Sequence, residues 1–275
     1  MMEYREITKG VEVPVLGLGT WGMGGRETPD KARDSETVTA IRMALELGLT
    51  HLDTAEYYGA GHAEELVGEA IEGWDREKLF ITSKVWHNHL RREDLLHSMK
   101  ASLGRLGVDH VDLYLVHWPN PSVPLKETMA AMEECIRQGH TRFIGVSNFS
   151  AQLMEEAQGH LKDARLIANQ VQYSLLDQKP RMELLPACRR MGVSLVAYRP
   201  LERGAIIETP NAVMDEIAGA RGKTRVQVAL NWLISQEGVF AIPKSTNPVH
   251  LMEFMGAIGW RLTEEEQRRL SDAYR

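Results

Sequence analysis

The sequence predicts a (β/α)8 barrel, with an N-terminal β-hairpin and extra helices near the C-terminus, spanning residues 1–275 as one domain. Three observations predict it. Eight short apolar runs alternate with longer stretches that are apolar at helical spacing. The runs are mostly apolar on both faces, as buried parallel strands are. No linker, low-complexity tract or composition break divides them. Repeated βα units that return to their start close into a barrel, and an open doubly wound sheet is the alternative.

The elements follow in order. Residues 3–13 read as a hairpin turned at Lys9-Gly10, and Val15–Gly19 as the first buried strand. That strand opens into Thr20-Trp21-Gly22-Met23-Gly24-Gly25. Gly17, Gly19 and Gly22 match the G-x-G-x-x-G spacing of a dinucleotide-binding turn, but a true fingerprint opens a helix directly. Here more glycine and Arg26-Glu-Thr-Pro29 follow, so the Rossmann reading is set aside.

Helices are expected at 33–48, 62–72, 92–106, 125–138, 151–158, 181–191, 210–220, 224–236, 248–256 and 263–274. The remaining strands are expected at 49–53, 79–84, 111–116, 143–146, 166–170, 193–197 and 239–242. Asn247-Pro248 and the capping box Thr263-x-x-Glu266 mark the last two helix starts.

Composition narrows the function classes. The chain has 275 residues, 43% hydrophobic and 25% charged, which is ordinary for a soluble globular protein. A net charge of −6 offers no general attraction to a phosphate backbone, so nucleic acid is not an expected partner. No run of about 18 apolar residues suggests a membrane span. The N-terminus carries no secretory pattern, and the cytoplasm is the expected compartment. Cys135 and Cys188 fall in helical segments and read as reduced core thiols. No oligomerisation signal is present, and a monomer is expected.

The chemistry lies at the strand ends. Thr50-His-Leu-Asp-Thr-Ala-Glu-Tyr-Tyr-Gly-Ala60 begins as a strand and breaks into a polar turn carrying Asp53 and Tyr58. Lys84, His117, Ser147-Asn148, Gln170, Tyr198 and Lys244-Ser245 hold the equivalent place in later units. In a barrel these positions converge on one mouth. A lone lysine there is usually solvated, and a lone histidine usually structural. Together, Asp, Tyr, Lys and His suit protonation of a carbonyl oxygen while another group attacks its carbon. A free phenol titrates near 10. A nearby lysine is expected to pull that value down, with the aspartate fixing the lysine. No side chain donates hydride, so a nicotinamide is implied.

The chain resembles the aldo-keto reductase family, as a short, prokaryotic-type member without a long C-terminal tail. The resemblance rests on Leu52-Asp-Thr-Ala-Glu-Tyr-Tyr-Gly59, Thr82-Ser-Lys-Val85, Asp112-Leu-Tyr-Leu-Val-His-Trp-Pro119, Gly145-Val-Ser-Asn-Phe149, Asn169-Gln170 and Ile242-Pro-Lys-Ser245. It implies Tyr58 as proton donor, Lys84 and Asp53 as the groups that tune it, and His117 as the group that orients the substrate carbonyl. Ser147, Asn148 and Gln170 would hold the carboxamide of the nicotinamide, and Tyr198 would stack beneath the ring. Arg199, Leu201 and Arg203 would cover the pyrophosphate, with Thr20 and Trp21 also facing the cofactor. Lys244 and Ser245 would meet the 2′-phosphate of NADPH.

The sequence departs from the family pattern at His250, where typical NADPH users carry arginine, and at Phe254, where asparagine is expected; Glu253 fits. Histidine is a weaker phosphate partner than arginine, so NADPH is expected with NADH as a second donor. Trp21, Trp86, His87 and Trp118 are the candidate substrate wall. A short loop after Trp118 and a chain that ends soon after the last helix suggest an open pocket for small carbonyls, such as methylglyoxal-like compounds and aromatic aldehydes. Three rivals remain: a redox-reporting binding protein with little turnover, a Schiff-base lyase using Lys84, and a metal site at His87-Asn-His89. The last lacks a third ligand in register, and no metal is expected.

Overall fold

The computed structural model describes residues 2–275. A hairpin of β1 (Tyr4–Thr8) and β2 (Val11–Pro14) precedes an eight-stranded parallel sheet. Its strands are β3 (Leu18–Gly19), β4 (His51–Asp53), β5 (Phe80–Val85), β6 (Val111–Val116), β7 (Thr141–Ser147), β8 (Leu166–Gln172), β9 (Ser194–Tyr198) and β10 (Val239–Ala241), in that spatial order. The two ends of the sheet meet. Leu16 bridges Ala241 in parallel, Gly17 N donates to Ala241 O at 2.9 Å, and Gly19 N donates to Pro243 O at 3.0 Å. The result is the expected (β/α)8 barrel. Among the described residues, no helix is long and apolar enough to cross a membrane.

The glycine motif finds its explanation at this seam. A Cβ on Gly17 would lie 2.6 Å from His51 O, and one on Gly19 would lie 2.9 Å from Ile242 O. These glycines let the first strand pack against its neighbours, and no helix starts until Asp34. The seam spacing needs glycine for barrel closure rather than for a phosphate.

The helices are α1 (Asp34–Glu46), α2 (His62–Ile71), α3 (Arg92–Leu106), α4 (Leu125–Arg137), α5 (Ala151–His160), α6 (Lys179–Met182), α7 (Leu184–Met191), α8 (Ala205–Glu208), α9 (Ala212–Arg221), α10 (Arg225–Ile234), α11 (Pro248–Met255) and α12 (Glu264–Ala273). The capping box at Thr263 and Glu266 forms, and a second one forms at Thr224 and Gln227. α8 falls where no helix was expected, and two further details differ from expectation. The helix expected at 181–191 is two helices, broken at Glu183. Pro186 has no N–H to give the Met182 carbonyl, and its ring crowds the preceding turn. The first strand shrinks to Leu18–Gly19, because Leu16 contributes only an isolated bridge to the far side of the seam.

Two apolar layers result. Ile41, Leu66, Met99 and Met132 fill the space between strands and helices, where Cys135 and Cys188 lie buried as free thiols. Burial pushes both thiols up to about 12. Inside the barrel, Phe80, Leu113, Ile167, Val196 and Phe240 pack with Ile7 and Val13 of the hairpin. The hairpin thus closes the lower end, anchored by Ser194 Oγ donating to Ile7 O at 2.8 Å.

His51 stands in this interior with its ring edge-on to Phe80 at 5.3 Å and Nδ1 buried without a partner. Burial lowers its pKa from 6.5 to about 4. The unfolded chain therefore binds this proton more readily than the folded one. Stability is fully present above about pH 6.5 and falls as pH drops toward 4, by on the order of 3 kcal/mol. Urea midpoints taken at about pH 7 and about pH 5 should fall with acid, and fall less in His51→Asn.

Candidate active site

Strand alternation builds the site. On β5, Phe80 and Lys84 point into the barrel, whereas Ile81 and Val85 pack outward and Ser83 donates outward to Glu64 at 2.5 Å. On β6, Leu113 and Leu115 point inward and Tyr114 and Val116 outward, so His117 arrives at the mouth. On β4, Leu52 packs outward and Asp53 inward. The same period places Ser147, Gln170 and Tyr198 on the inner face at the strand ends. Tyr58 reaches the mouth from a 3-10 turn, Tyr58–Gly61, just beyond β4.

These side chains form one connected network. Lys84 is fully buried and gives its three hydrogens to Asp53 Oδ2 at 2.7 Å, Thr54 O at 2.9 Å and Tyr58 Oη at 3.0 Å. Gln170 Nε2 donates to Asp53 Oδ1 at 2.6 Å. Ser147 Oγ donates to Gln170 O at 2.8 Å, and Asn148 Nδ2 donates to Ser147 Oγ at 3.0 Å. Tyr198 donates its hydroxyl to Asn148 Oδ1 at 2.9 Å. Thr20 Oγ1 donates to Asp53 O at 2.9 Å.

An ammonium only donates, so Tyr58 must accept from Lys84. The phenol's own hydrogen is then free to point into the cavity. Burial, then the Asp53 charge, pushes the Tyr58 pKa well above 10. This reverses the expected direction. Lys84 is matched by Asp53, so it adds little net positive field, while removal of Tyr58 from water penalises the phenolate. Burial likewise lowers the Lys84 pKa, opposed by Asp53. His117 is held neutral, its pKa well below 6.5, by burial and then by Lys84 and His87. Its Nδ1 is buried without a partner, leaving Nε2 as the ring nitrogen accessible from the cavity.

The cavity over this network has a volume of about 710 Å³. Of the expected residues, Trp21, Asp53, Tyr58, Trp86, His117, Trp118, Ser147, Asn148, Gln170, Tyr198, Arg199, Leu201, Arg203, Lys244, His250 and Glu253 line it. Lys84 and Thr20 stand behind its wall, each bonded to Asp53. His87 lies outside the lining, beside the Trp86 ring at 4.5 Å. Ser245 is also outside, with Oγ 3.4 Å from His250 Nδ1. His89 Nδ1 is 3.1 Å from Glu56 Oε1. All three Lys84 hydrogens are engaged and its nitrogen is away from the cavity, which argues against a Schiff-base nucleophile.

Sequence reasoning missed Tyr57, Arg26, Glu27 and Ile207, which also line the cavity. Tyr57 stacks on Trp86 with centroids 3.7 Å apart and planes 8° apart, and lies parallel to Trp21 at 6.0 Å. Its neighbour in sequence, Tyr58, meets His117 edge-on at 5.5 Å. Adjacent tyrosines thus serve different parts of one cavity. The turn that separates them carries no periodic signal.

At the other end, residues 199–204 make a strained turn. Arg199, Glu202 and Arg203 take φ of 49°, 46° and 57°, a region L-residues rarely occupy. Arg199 Nη1 reaches Gln172 Oε1 at 3.3 Å, whereas Arg203 and Lys244 face the cavity without a side-chain partner among the described residues. Burial, then Arg33, lowers the Lys244 pKa.

Fold and site together define a closed β/α barrel with a tyrosine–lysine–aspartate network and a neutral histidine at its carboxyl-end mouth. The chain belongs to the aldo/keto reductase family, whose model matches residues 15–275. Methylglyoxal reductase YeaE of Escherichia coli is 39% identical over 267 residues, covering 96% of this chain and 92% of that one. The thermostable aldo-keto reductase Tm1743, solved with the inhibitor epalrestat, superposes with a TM-score of 0.94 at 48% identity, covering 99% of this chain and all of that one, 100%. An aldo/keto reductase from Klebsiella pneumoniae, solved with NADP and acetate, superposes with a TM-score of 0.90 at 35% identity, covering 100% and 96%.

Proposed function

We propose that this chain reduces small aldehydes and ketones to alcohols with NADPH, and that Tyr58 supplies the proton. The observation that carries this reading is the hydrogen bond from Lys84 to Tyr58 Oη at 3.0 Å within a closed buried network. It leaves a neutral phenol with its hydrogen directed at the cavity. The methylglyoxal reductase and the NADP-bound neighbour among its relatives support the same substrate class and cofactor.

The residues fit a dinucleotide. Among the described residues, Arg203 and Lys244 are unpartnered cations on the cavity wall, and the positive-φ turn at 199–204 brings two arginines to it. These would hold the phosphates, while Asn148, Gln170 and Ser147 would bind the carboxamide and Tyr198 would pack against the ring. When bound, a reduced nicotinamide supplies hydride to the carbonyl carbon. Tyr58 gives its hydrogen to the carbonyl oxygen. Lys84 keeps its bond to the phenol oxygen, where negative charge develops as that proton leaves. His117 Nε2 positions the carbonyl oxygen as a neutral group. Trp21, Trp86 and Trp118 exclude water and accept flat or small substrates without selecting one strongly.

The test is a steady-state panel of methylglyoxal and aromatic aldehydes with each cofactor. Turnover of several members supports the proposal, and absence of cofactor oxidation across the panel contradicts it. His250 adds a sharper expectation. His250→Arg supplies a permanent forked cation near Lys244, and should tighten NADPH binding about tenfold while leaving NADH within about twofold. Fluorescence titration of both cofactors reads this, and an equal change for the two would remove His250 from the 2′-phosphate site.

A further inference from the structure

The aromatic end of the cavity holds a cation that the proposed reaction does not use. Arg26 lies on the loop between β3 and α1 and lines the cavity with Trp21, Tyr57, Trp86 and His117. Its backbone is fixed against the segment that carries Tyr58. Gly59 N donates to Arg26 O at 2.7 Å, and a Cβ on Gly59 would fall 2.4 Å from Gly24 O. Gly25 pairs with both Gly22 and Pro29, which folds the loop back on itself. The Arg26 backbone is therefore held beside the turn that carries Tyr58, whereas Arg199 is engaged by Gln172 Oε1 at 3.3 Å.

The Arg26 guanidinium makes no hydrogen bond or ion pair with any described residue. The adjacent Glu27 does not neutralise it in a pair. Instead, after burial, Glu27 is the group that raises the Tyr57 phenol. Asp53 is already matched by Lys84 and Gln170. Arg26 is exposed and lines the same cavity as Trp21, Tyr57 and Trp86, and its unpaired guanidinium presents a forked donor suited to a carboxylate.

We propose that Arg26 is a specificity-determining residue that recognises a carboxylate on the substrate. The pocket then favours carbonyl compounds carrying an acid group a few bonds from the reacting carbon. This rests on the reductase reading of the site. The carboxylate pairs with Arg26 while the carbonyl oxygen meets Tyr58 and His117, and the aromatic rings bracket what lies between.

The experiment compares 4-carboxybenzaldehyde with 4-nitrobenzaldehyde, which is close in shape but uncharged. In Arg26→Gln, kcat/KM for the acid should fall about tenfold, while the nitro compound stays within about twofold. Arg26→Lys should retain part of the preference, and added salt should erode it in the native protein alone. Calorimetric binding of 4-carboxybenzaldehyde in the presence of NADP+ gives a second readout without turnover. Equal loss for both aldehydes in Arg26→Gln, or loss for neither, overturns the inference and leaves the reductase reading standing. Absence of turnover for both, with acid binding still lost in Arg26→Gln, overturns the reductase reading and keeps Arg26 as the carboxylate partner.

Discussion

Tyr58→Phe is expected to lower kcat for aldehyde reduction by about a thousandfold while leaving NADPH binding within about twofold. The substitution removes one oxygen and keeps the ring that packs against Trp21 and His117. Lys84 loses one of its three acceptors but keeps Asp53 and Thr54 O. Fold and cofactor site should therefore survive, and only the hydrogen aimed at the carbonyl is lost. Neither other phenol on the cavity wall replaces it, since Tyr57 stacks on Trp86 and Tyr198 donates its hydroxyl to Asn148. Single-turnover rates with saturating NADPH measure the loss. A variant that retained most of its rate would place the proton elsewhere, with His117 Nε2 the next candidate.

Lys84→Met should remove both activity and stability, and the two effects should separate in a double variant. Lys84 and Asp53 are a buried pair at 2.7 Å, 0% and 2% exposed. Removing the lysine alone leaves a buried carboxylate with only Gln170 Nε2 to meet its charge. Such a loss costs about 3–5 kcal/mol. Adding Asp53→Asn removes that charge and should return most of the stability, because a buried pair replaced by neutral groups of similar volume is close to neutral. Activity should not return, since the Tyr58 oxygen would still lack its donor when negative charge develops there. Urea midpoints for both singles and the double give the coupling. An additive double variant would mean that the pair does not act as a unit.

Much of this was legible in sequence because strand alternation is a strong constraint. Once Leu113 and Leu115 are inward, His117 must be, and the same counting places Asp53 and Lys84. α3 and β6 match their expected bounds because Leu95, Met99, Leu103 and Leu106 keep helical spacing, and because Val111–Val116 is apolar at every position but Asp112. What sequence did not reveal depends on contacts between distant segments. The split at Glu183 depends on a proline three residues further on, within an otherwise helical pattern. The stack of Tyr57 on Trp86, and the approach of Arg26 to Gly59, join loops from different βα units. The Tyr58 pKa was misjudged in direction because counting charges finds the lysine but not the burial and the aspartate that outweigh it.

The most direct test of the account follows reduced-nicotinamide absorbance while the native protein turns over methylglyoxal and 4-nitrobenzaldehyde, with the alcohol quantified in the same samples. The account predicts one alcohol formed for each NADPH consumed, with a slower matching reaction for NADH. Tight binding of NADPH with unchanging absorbance and no alcohol would contradict it, and would make this barrel a cofactor-binding protein rather than a reductase.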